Sequence, residues 1–513
     1  MFAKTFFLVI FFAVMIIIGV KAKKKATSVE NFVLGGRSVG PWLTAFAYGT
    51  AYFSAVVFVG YAGQFGWKFG IASTWVGIGN ALIGSLLAWL VLGRRTRVMT
   101  NHLDSKTMPD FFGKRYNSNA LKLVASAIIF IFMIPYTASI YNGLSRLFEM
   151  AFDIPFAVCV IVMAVLTGFY VILGGYVATA WNDFIQGIIM LIGIVAVIAS
   201  VLNGQGGFME AINKLSQIPS DVAATKGQLG AFTSFFGADP MGLLWVIILT
   251  SLGTWGLPQM VHKFYAIKDE KSIKTGTIIS TVFALVIAGG SYFLGGFGRL
   301  FSENPEIYNA DGGVIYDGII PLMLSKTPDI IIGVVIVLVL SASMSTLASL
   351  VLTSSSTLTL DFLDGTVIKN MSEKKKMLTM RLLIVFFILI SVIIALDPPT
   401  FIAQLMGISW GAMAGAFLAP FLYGLYWKRV TKTAVWVSFI FGVGITVFNM
   451  IVPVLGSSLV AGSIAMIGGL ILVPIVSVIT RKPDTGLIDP IFECYDEKIV
   501  VTKKRSLAEK AMD

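Results

Sequence analysis

Charge is scarce in this sequence. Only 13% of its 513 residues are Asp, Glu, Lys or Arg, about half the share found in a water-soluble protein, which excludes an ordinary soluble enzyme. Cysteine is nearly absent: Cys159 sits in an apolar run and Cys494 in the polar tail, with neither a metal spacing nor a disulfide framework. Histidine is as rare. His102 and His262 lie beside basic residues at the ends of apolar runs, which predicts solvated loop side chains rather than ligands. No apolar run carries a His/Glu metal pair or a nucleophile beside a base, so a membrane-embedded enzyme is not indicated.

What fills the chain instead is apolar surface, 57% of residues with a mean hydropathy of +0.86. Runs of about twenty apolar residues recur from end to end, each long enough to cross roughly 30 Å of hydrocarbon as a helix. They predict an all-α polytopic membrane protein of about thirteen transmembrane helices, near residues 4–20, 41–65, 70–93, 120–149, 155–174, 177–202, 240–261, 276–299, 329–360, 380–396, 400–426, 433–453 and 459–480. In the first run the basic cluster, Lys21 and Lys23 to Lys25, follows the apolar stretch and no small-residue cleavage site precedes it. It reads as a retained helix with its N-terminus outside.

Threading thirteen spans from that start puts 21–40, 94–122, 262–275, 361–381, 427–432 and 481–513 on one side. These segments hold about 31 of the 38 Lys and Arg, leaving Lys4, Lys68, Arg146, Lys214, Lys226, Arg299 and Lys326 elsewhere. That is the bias of an N-outside, C-cytoplasmic chain in a cell membrane, and it accounts for the net charge of +11 without nucleic acid as a partner. The loops 203–239 and 301–328, the second carrying Glu303, Glu306, Asp311 and Asp317, then face outside.

Two spans are interrupted. The first reads Ala47-Tyr-Gly-Thr-Ala-Tyr-Phe-Ser-Ala55 and continues to Gly60, Gly63 and Gln64; the second reads Thr250-Ser-Leu-Gly-Thr-Trp-Gly-Leu-Pro258. Gly253, Gly256 and Pro258 weaken or remove helix hydrogen bonds within a few positions. In lipid such a break is tolerated only where protein or a water-filled cavity supplies partners. The glycines would also serve close helix packing. The breaks fall in the second and seventh spans, five apart, and matched breaks in two five-helix halves point to an inverted-repeat transporter with its site at the midplane.

The ninth span carries Ser341-Ala-Ser-Met-Ser-Thr-Leu-Ala-Ser349, so Ser341, Ser345 and Ser349 share one helical stripe flanked by Thr346. Hydroxyls and freed carbonyls suit a hard cation such as sodium; the same hydroxyls also bond back to their own helix or join helices together. Asp183, near the start of a span, calls for a cation partner if it lies inside the bilayer, or caps its helix at the interface.

Several segments resemble the sodium:solute symporter family: Asn31-Phe-Val-Leu-Gly-Gly-Arg-Ser38, Gly174-Gly-Tyr-Val-Ala-Thr-Ala-Trp-Asn-Asp-Phe-Ile-Gln186, Ser341-Ala-Ser-Met-Ser-Thr346 and Gly424-Leu-Tyr-Trp-Lys428. The similarity runs in order from about residue 30 to 480. It implies a leucine-transporter-like fold of five plus five inverted repeats preceded by an extra N-terminal helix, working by alternating access. The divisions would be 1–25 for the extra helix, 41–202 and 240–426 for the repeats, 203–239 for an external loop, 433–480 for two peripheral helices and 481–513 for a cytoplasmic tail.

The resemblance further implies a main sodium site of the carbonyls of Thr50, Phe53 and Ala342 with the hydroxyls of Ser345 and Thr346. A second ion in some members uses an aspartate matching Asp183 and hydroxyls matching Ser345, Ala348 and Ser349. Ala348 lacks the hydroxyl, so one sodium per solute is expected. The solute would be held by the broken helix with Tyr52, Ser54, Gln64, Asn80, Thr254, Trp255 and Gln404, while bulky Tyr48, Tyr52, Phe53 and Trp255 close the site or pack the core. Proline carriers have an aspartate where this chain has Tyr52, and a tryptophan and a tyrosine where it has Thr250 and Thr254. Sialic-acid carriers have an arginine near Tyr136 or Thr137. The stretches Thr50-Ala-Tyr-Phe-Ser54, Asn182-Asp-Phe-Ile-Gln-Gly187 and Gly256-Leu-Pro258, with Lys268-Asp269 following, look closest to pantothenate carriers. Sodium, a small organic solute and the bilayer are then the partners, a monomer suffices for transport, and proline, another amino acid or a sugar is the alternative cargo. A solute receptor on the same scaffold would need an output domain that the tail from Arg481 does not offer, and a passive channel would not need paired breaks.

Overall fold

The computed structural model describes residues 2–24, 26–152, 155–325, 327–364, 366–368, 371–397 and 402–496. Lys326 and the tail beyond Asp496, both named above, lie outside the described residues. Every regular element among the described residues is helical, as a chain that must satisfy its backbone inside hydrocarbon requires.

Nine helices among the described residues are long and apolar enough to cross a membrane, ten if the bent pair Pro240–Gly256 and Pro258–Ala266 counts as one span. The expected thirteen is not reached on that count. Two of the nine, Val56–His102 and Phe156–Gly204, run for 47 and 49 residues, about 70 Å each if straight, more than twice the thickness of the hydrocarbon. Neither is straight. Gly70 (φ 65°, ψ −147°) and Gly175 (φ 52°, ψ −145°) turn a corner inside them, in a backbone region that only glycine enters readily.

Helix starts are set by hydroxyl caps. Ser372, Thr431 and Ser457 each accept a hydrogen bond from the backbone N–H three residues on, opening Glu373–Leu396, Lys432–Ile451 and Ser458–Ile479. Burial sorts the helices into centre and periphery. In Asp329–Leu363 and Ile402–Tyr426, 83% and 89% of the most apolar window is enclosed, against 28% in Glu373–Leu396. The last therefore faces lipid, with Leu378, Leu382, Val385, Phe386, Leu389 and Ile393 exposed. The serine-rich helix Asp329–Thr357 stands at the centre, where hydroxyls are meaningful because no lipid reaches them.

Candidate functional site

Both interrupted spans break, and they break alike. The first half-helix Pro41–Tyr52 ends at Phe53 (φ −110°, ψ 102°), whose N–H donates to the carbonyl of Gly49. The second, Pro240–Gly256, ends at Leu257 (φ −81°, ψ 121°), whose N–H donates to the carbonyl of Gly253. Both half-helices start with proline at their first position, where its missing N–H costs nothing. Past the first break Ser54 restarts the helix: its Oγ accepts from Val56 N–H at 3.2 Å and its carbonyl from Val57 and Phe58. Past the second, Pro258 opens Pro258–Ala266, bent 45° from its partner.

A half-helix leaves its last carbonyls without intrahelical donors. At the first break those oxygens meet the serine helix. Ser345 Oγ donates to the carbonyls of Thr50 at 3.0 Å and Ala342 at 3.2 Å. Thr346 Oγ1 donates to Thr50 at 3.1 Å, Ala342 at 3.0 Å and Ala51 at 3.5 Å. Phe53 is the extended residue beside them and shares with Ala342 the wall of a cavity of about 10 Å³. Four of the five residues expected at the main cation position, Thr50, Ala342, Ser345 and Thr346, are thus joined by hydrogen bonds, Ala51, which was not expected, joins them, and Phe53 lies beside them at the break. The donor set is carbonyl and hydroxyl oxygen with no full charge, fully buried. Each hydroxyl keeps lone pairs while it donates, so the cluster suits a hard monovalent cation.

For Asp183 the sequence left two placements open. It lies inside the helix beyond the Gly175 corner, fully buried, and is not an interfacial cap. Both its carboxylate oxygens lack a hydrogen-bond partner among the described residues. Ser349 accepts from Lys263 Nζ at 3.0 Å, and Ala348 brings only a methyl group. His262 corrects an expectation: it is buried on Pro258–Ala266 against the rings of Tyr176 and Tyr265, not solvated. His102 is exposed as expected and meets the carbonyl of Pro490 at 3.0 Å.

Four of the expected solute residues form one seam between the broken helices and the segment 80–93. Tyr52 OH donates to the carbonyl of Thr250 at 2.5 Å, Ser251 Oγ to Asn80 Oδ1 at 3.2 Å, Thr254 Oγ1 to Gly84 O at 3.0 Å and Trp255 Nε1 to Ile83 O at 3.0 Å. Ser54 sits in the break itself. Gln64 and Gln404 lie on other segments, the first ten residues beyond the break with a buried side-chain oxygen lacking a partner among the described residues, the second at the start of Ile402–Tyr426. Sequence reasoning missed Trp410 and Tyr136. Trp410 stacks on Tyr52 at 6.1 Å and meets Tyr136 edge-on at 6.0 Å, flanking the seam from two further helices. The only signal was Gly253: a Cβ built there would lie 2.5 Å from the Trp410 ring. The cavity beside the break, at about 10 Å³, has room for about one water, so no space for an organic solute is open beside the break in this conformation.

The model of the Sodium:solute symporter family matches residues 32–442. The chain is 30% identical over 485 residues to the osmoregulated proline transporter OpuE of Bacillus subtilis (strain 168), covering 92% of this chain and 94% of that protein. It is 31% identical over 435 residues to the sodium/proline symporter of Staphylococcus aureus (strain JH9), covering 82% and 81%. Among solved structures, a Na+-coupled sialic acid symporter in a substrate-bound outward-open state superposes with a TM-score of 0.75 at 19% identity over 94% of this chain and 99% of the other. The nucleobase-cation-symport-1 family transporter Mhp1 superposes at 0.51 with 13% identity over 90% and 98%.

Proposed function

Because this chain belongs to the sodium:solute symporter family, a family of transporters rather than enzymes with sodium as coupling ion, we propose that it imports a small organic monocarboxylate by alternating access. Pantothenate is the solute to test first. The reading rests above all on one observation: the carbonyls freed by the first break and the hydroxyls of Ser345 and Thr346 converge on one buried spot. Sodium as cargo is held there by the carbonyls of Thr50, Phe53 and Ala342 and those two hydroxyls, which ties the broken helix to the serine helix. That fixes the break for the solute, and by linkage solute binding raises sodium affinity equally.

The second halves of both broken helices begin at the breaks, with their positive ends towards the midplane, which suits a carboxylate where no arginine is available. Tyr52, Ser54, Asn80, Thr254 and Trp255 frame the solute, with Gln64 and Gln404 reached on opening. Residues 41–202 and 240–426 act as the two repeats, with 1–25, 203–239, 433–480 and 481–513 as extra helix, external loop, peripheral helices and cytoplasmic tail. The N-terminus lies outside and the tail inside a bacterial cell membrane, and one chain suffices. One sodium moving with one carboxylate carries no net charge, so the sodium concentration gradient drives that uptake; with a zwitterionic or neutral solute one charge moves inward, and about 100 mV adds roughly 2.3 kcal/mol.

Proline is the second reading, favoured by the names of the relatives at 30% and 31% identity. Against it stand Tyr52, Thr250 and Thr254 at positions where proline carriers hold other side chains. Uptake into proteoliposomes of labelled pantothenate, short monocarboxylates, proline, a sugar and sialic acid, under an inward sodium gradient or an equal potassium gradient, decides the cargo. Accumulation of proline alone would replace the monocarboxylate reading, and flux of any solute without sodium would remove symport.

A further inference from the structure

One buried cation of the chain's own stands where a second ion would have to bind. Lys263 lies on Pro258–Ala266, the half-helix after the second break, and is fully enclosed. Its ammonium donates to Ser349 Oγ at 3.0 Å and lies 5.2 Å from the centre of the Tyr176 ring. Asp183, on the helix beyond Gly175, is out of hydrogen-bond reach of that ammonium but near enough for the two charges to couple. A carboxylate enclosed in a membrane protein is costly unless a cation balances it, and Asp183 has no hydrogen-bond donor among the described residues. With Lys263 in place the residues that would have to hold a sodium ion here do not fit one: the Ser349 hydroxyl is engaged by an ammonium, and Ala348 adds no side-chain oxygen to make up for it.

We propose that the Lys263 ammonium is a tethered substitute for a second coupling ion, neutralising Asp183 and occupying Ser349, so that the chain binds one sodium. The inference rests on the symport reading and adds to it the residue that sets the ion count. It also gives the ammonium a mechanical consequence. Lys263 joins the second broken helix to the serine helix that carries Ser345 and Thr346 one helical turn away, so the charge that a free ion would bring at each cycle is carried permanently on an element of the carrier.

The test is the molar count of ²²Na+ bound to the purified full-length chain at saturation, with no solute present. The wild type should bind one sodium, and Asp183→Asn should still bind one with affinity within about threefold, because the partner of Asp183 is Lys263. Lys263→Ala removes the ammonium and leaves Asp183 unbalanced; it should bind two, and the double variant Lys263→Ala/Asp183→Asn should return to one. A wild-type count of two that falls to one in Asp183→Asn overturns the proposal, as does a folded Lys263→Ala that still binds one. If Lys263→Ala does not fold, the wild-type and Asp183→Asn counts decide alone. A wild-type count of zero overturns the symport reading itself and is thereby distinguished from failure of the lysine assignment.

Discussion

Ser345 Oγ lies 3.0 Å from the carbonyl oxygen of Thr50, and Thr346 Oγ1 reaches the same oxygen at 3.1 Å. A helix carbonyl seldom receives two side-chain hydroxyls from a different helix, because its own ladder normally claims it; here the break at Phe53 frees it. Removing either hydroxyl should therefore weaken cation binding more than it weakens the fold. Hydrogen bonds and dipoles aimed at a charge are worth about 1.5–3 kcal/mol, so Ser345→Ala and Thr346→Ala should each raise the sodium concentration for half-maximal uptake roughly tenfold or more. Expression and membrane insertion should stay near wild type. An unchanged sodium dependence in both variants would remove these hydroxyls from the site.

The parts of this site that could be read from the sequence are those fixed by local chemistry. Glycine and proline clusters located both breaks, and hydroxyl periodicity marked the stripe Ser341, Ser345 and Ser349 with Thr346 beside it, because backbone interruption and helical spacing are properties of short segments; the family resemblance then singled out Ser345 and Thr346. What could not be read depends on which helices meet. Lys263 counted as one more basic loop residue next to His262, yet Pro258 bends the chain inwards and both are enclosed. Trp410 had no local mark at all: it matters because Gly253, over 150 residues earlier, leaves room for its ring. The expected spans 41–65 and 70–93, and 155–174 and 177–202, part at Gly70 and Gly175, where the chain turns without a polar loop and a count by helix length runs straight through.

The hydroxyl of Tyr52 joins the two broken helices through the Thr250 carbonyl at 2.5 Å. Tyr52→Phe keeps the ring stacked on Phe53 and Trp410 and removes only this link, which costs the closed form about 1–2 kcal/mol. The closed state should lose ground to open ones. A cysteine placed at Ser54 in a cysteine-free background should then react with a membrane-impermeant maleimide several-fold faster in the Tyr52→Phe variant than in its Tyr52 parent. Equal rates would mean that the link does not hold the site shut.

Gly253 gives a test of packing independent of sodium. A Cβ there would lie 2.5 Å from the Trp410 ring, so the ring must shift, whereas a Cβ at Gly289 meets nothing within 4 Å. Overpacking of this kind costs about 1–3 kcal/mol. Gly253→Ala should lower the melting temperature of the purified protein and weaken solute affinity, while Gly289→Ala should leave both unchanged or raise stability slightly through better helix propensity. A Gly253→Ala variant as stable as the Gly289→Ala control would show that Trp410 has room to move.

On the face assigned to the outside, Arg299 fixes a loop to the end of the first broken helix. Its guanidinium lies between the rings of Trp67 at 4.2 Å and Phe232 at 4.6 Å, donates through Nε to the Trp67 carbonyl at 2.8 Å, and holds both oxygens of Asp221 at 2.9 and 2.6 Å. Partial burial pushes the Asp221 carboxyl up, but the hydrogen bonds and charge of Arg299 outweigh it and hold the group below the usual carboxylate range. The sign follows. A carboxyl whose folded value lies below its unfolded value of about 3.9 contributes stability that is present above that pH and is lost as pH falls through the folded value. The melting temperature of the wild type should therefore exceed that of Asp221→Asn by a constant margin from pH 8 down to about pH 5, and the margin should shrink as the pH drops below about 4. Because Asp221 is largely exposed, the margin should also narrow in high salt. A margin that persists unchanged at pH 3 would mean that Asp221 holds the loop by its shape rather than by its charge.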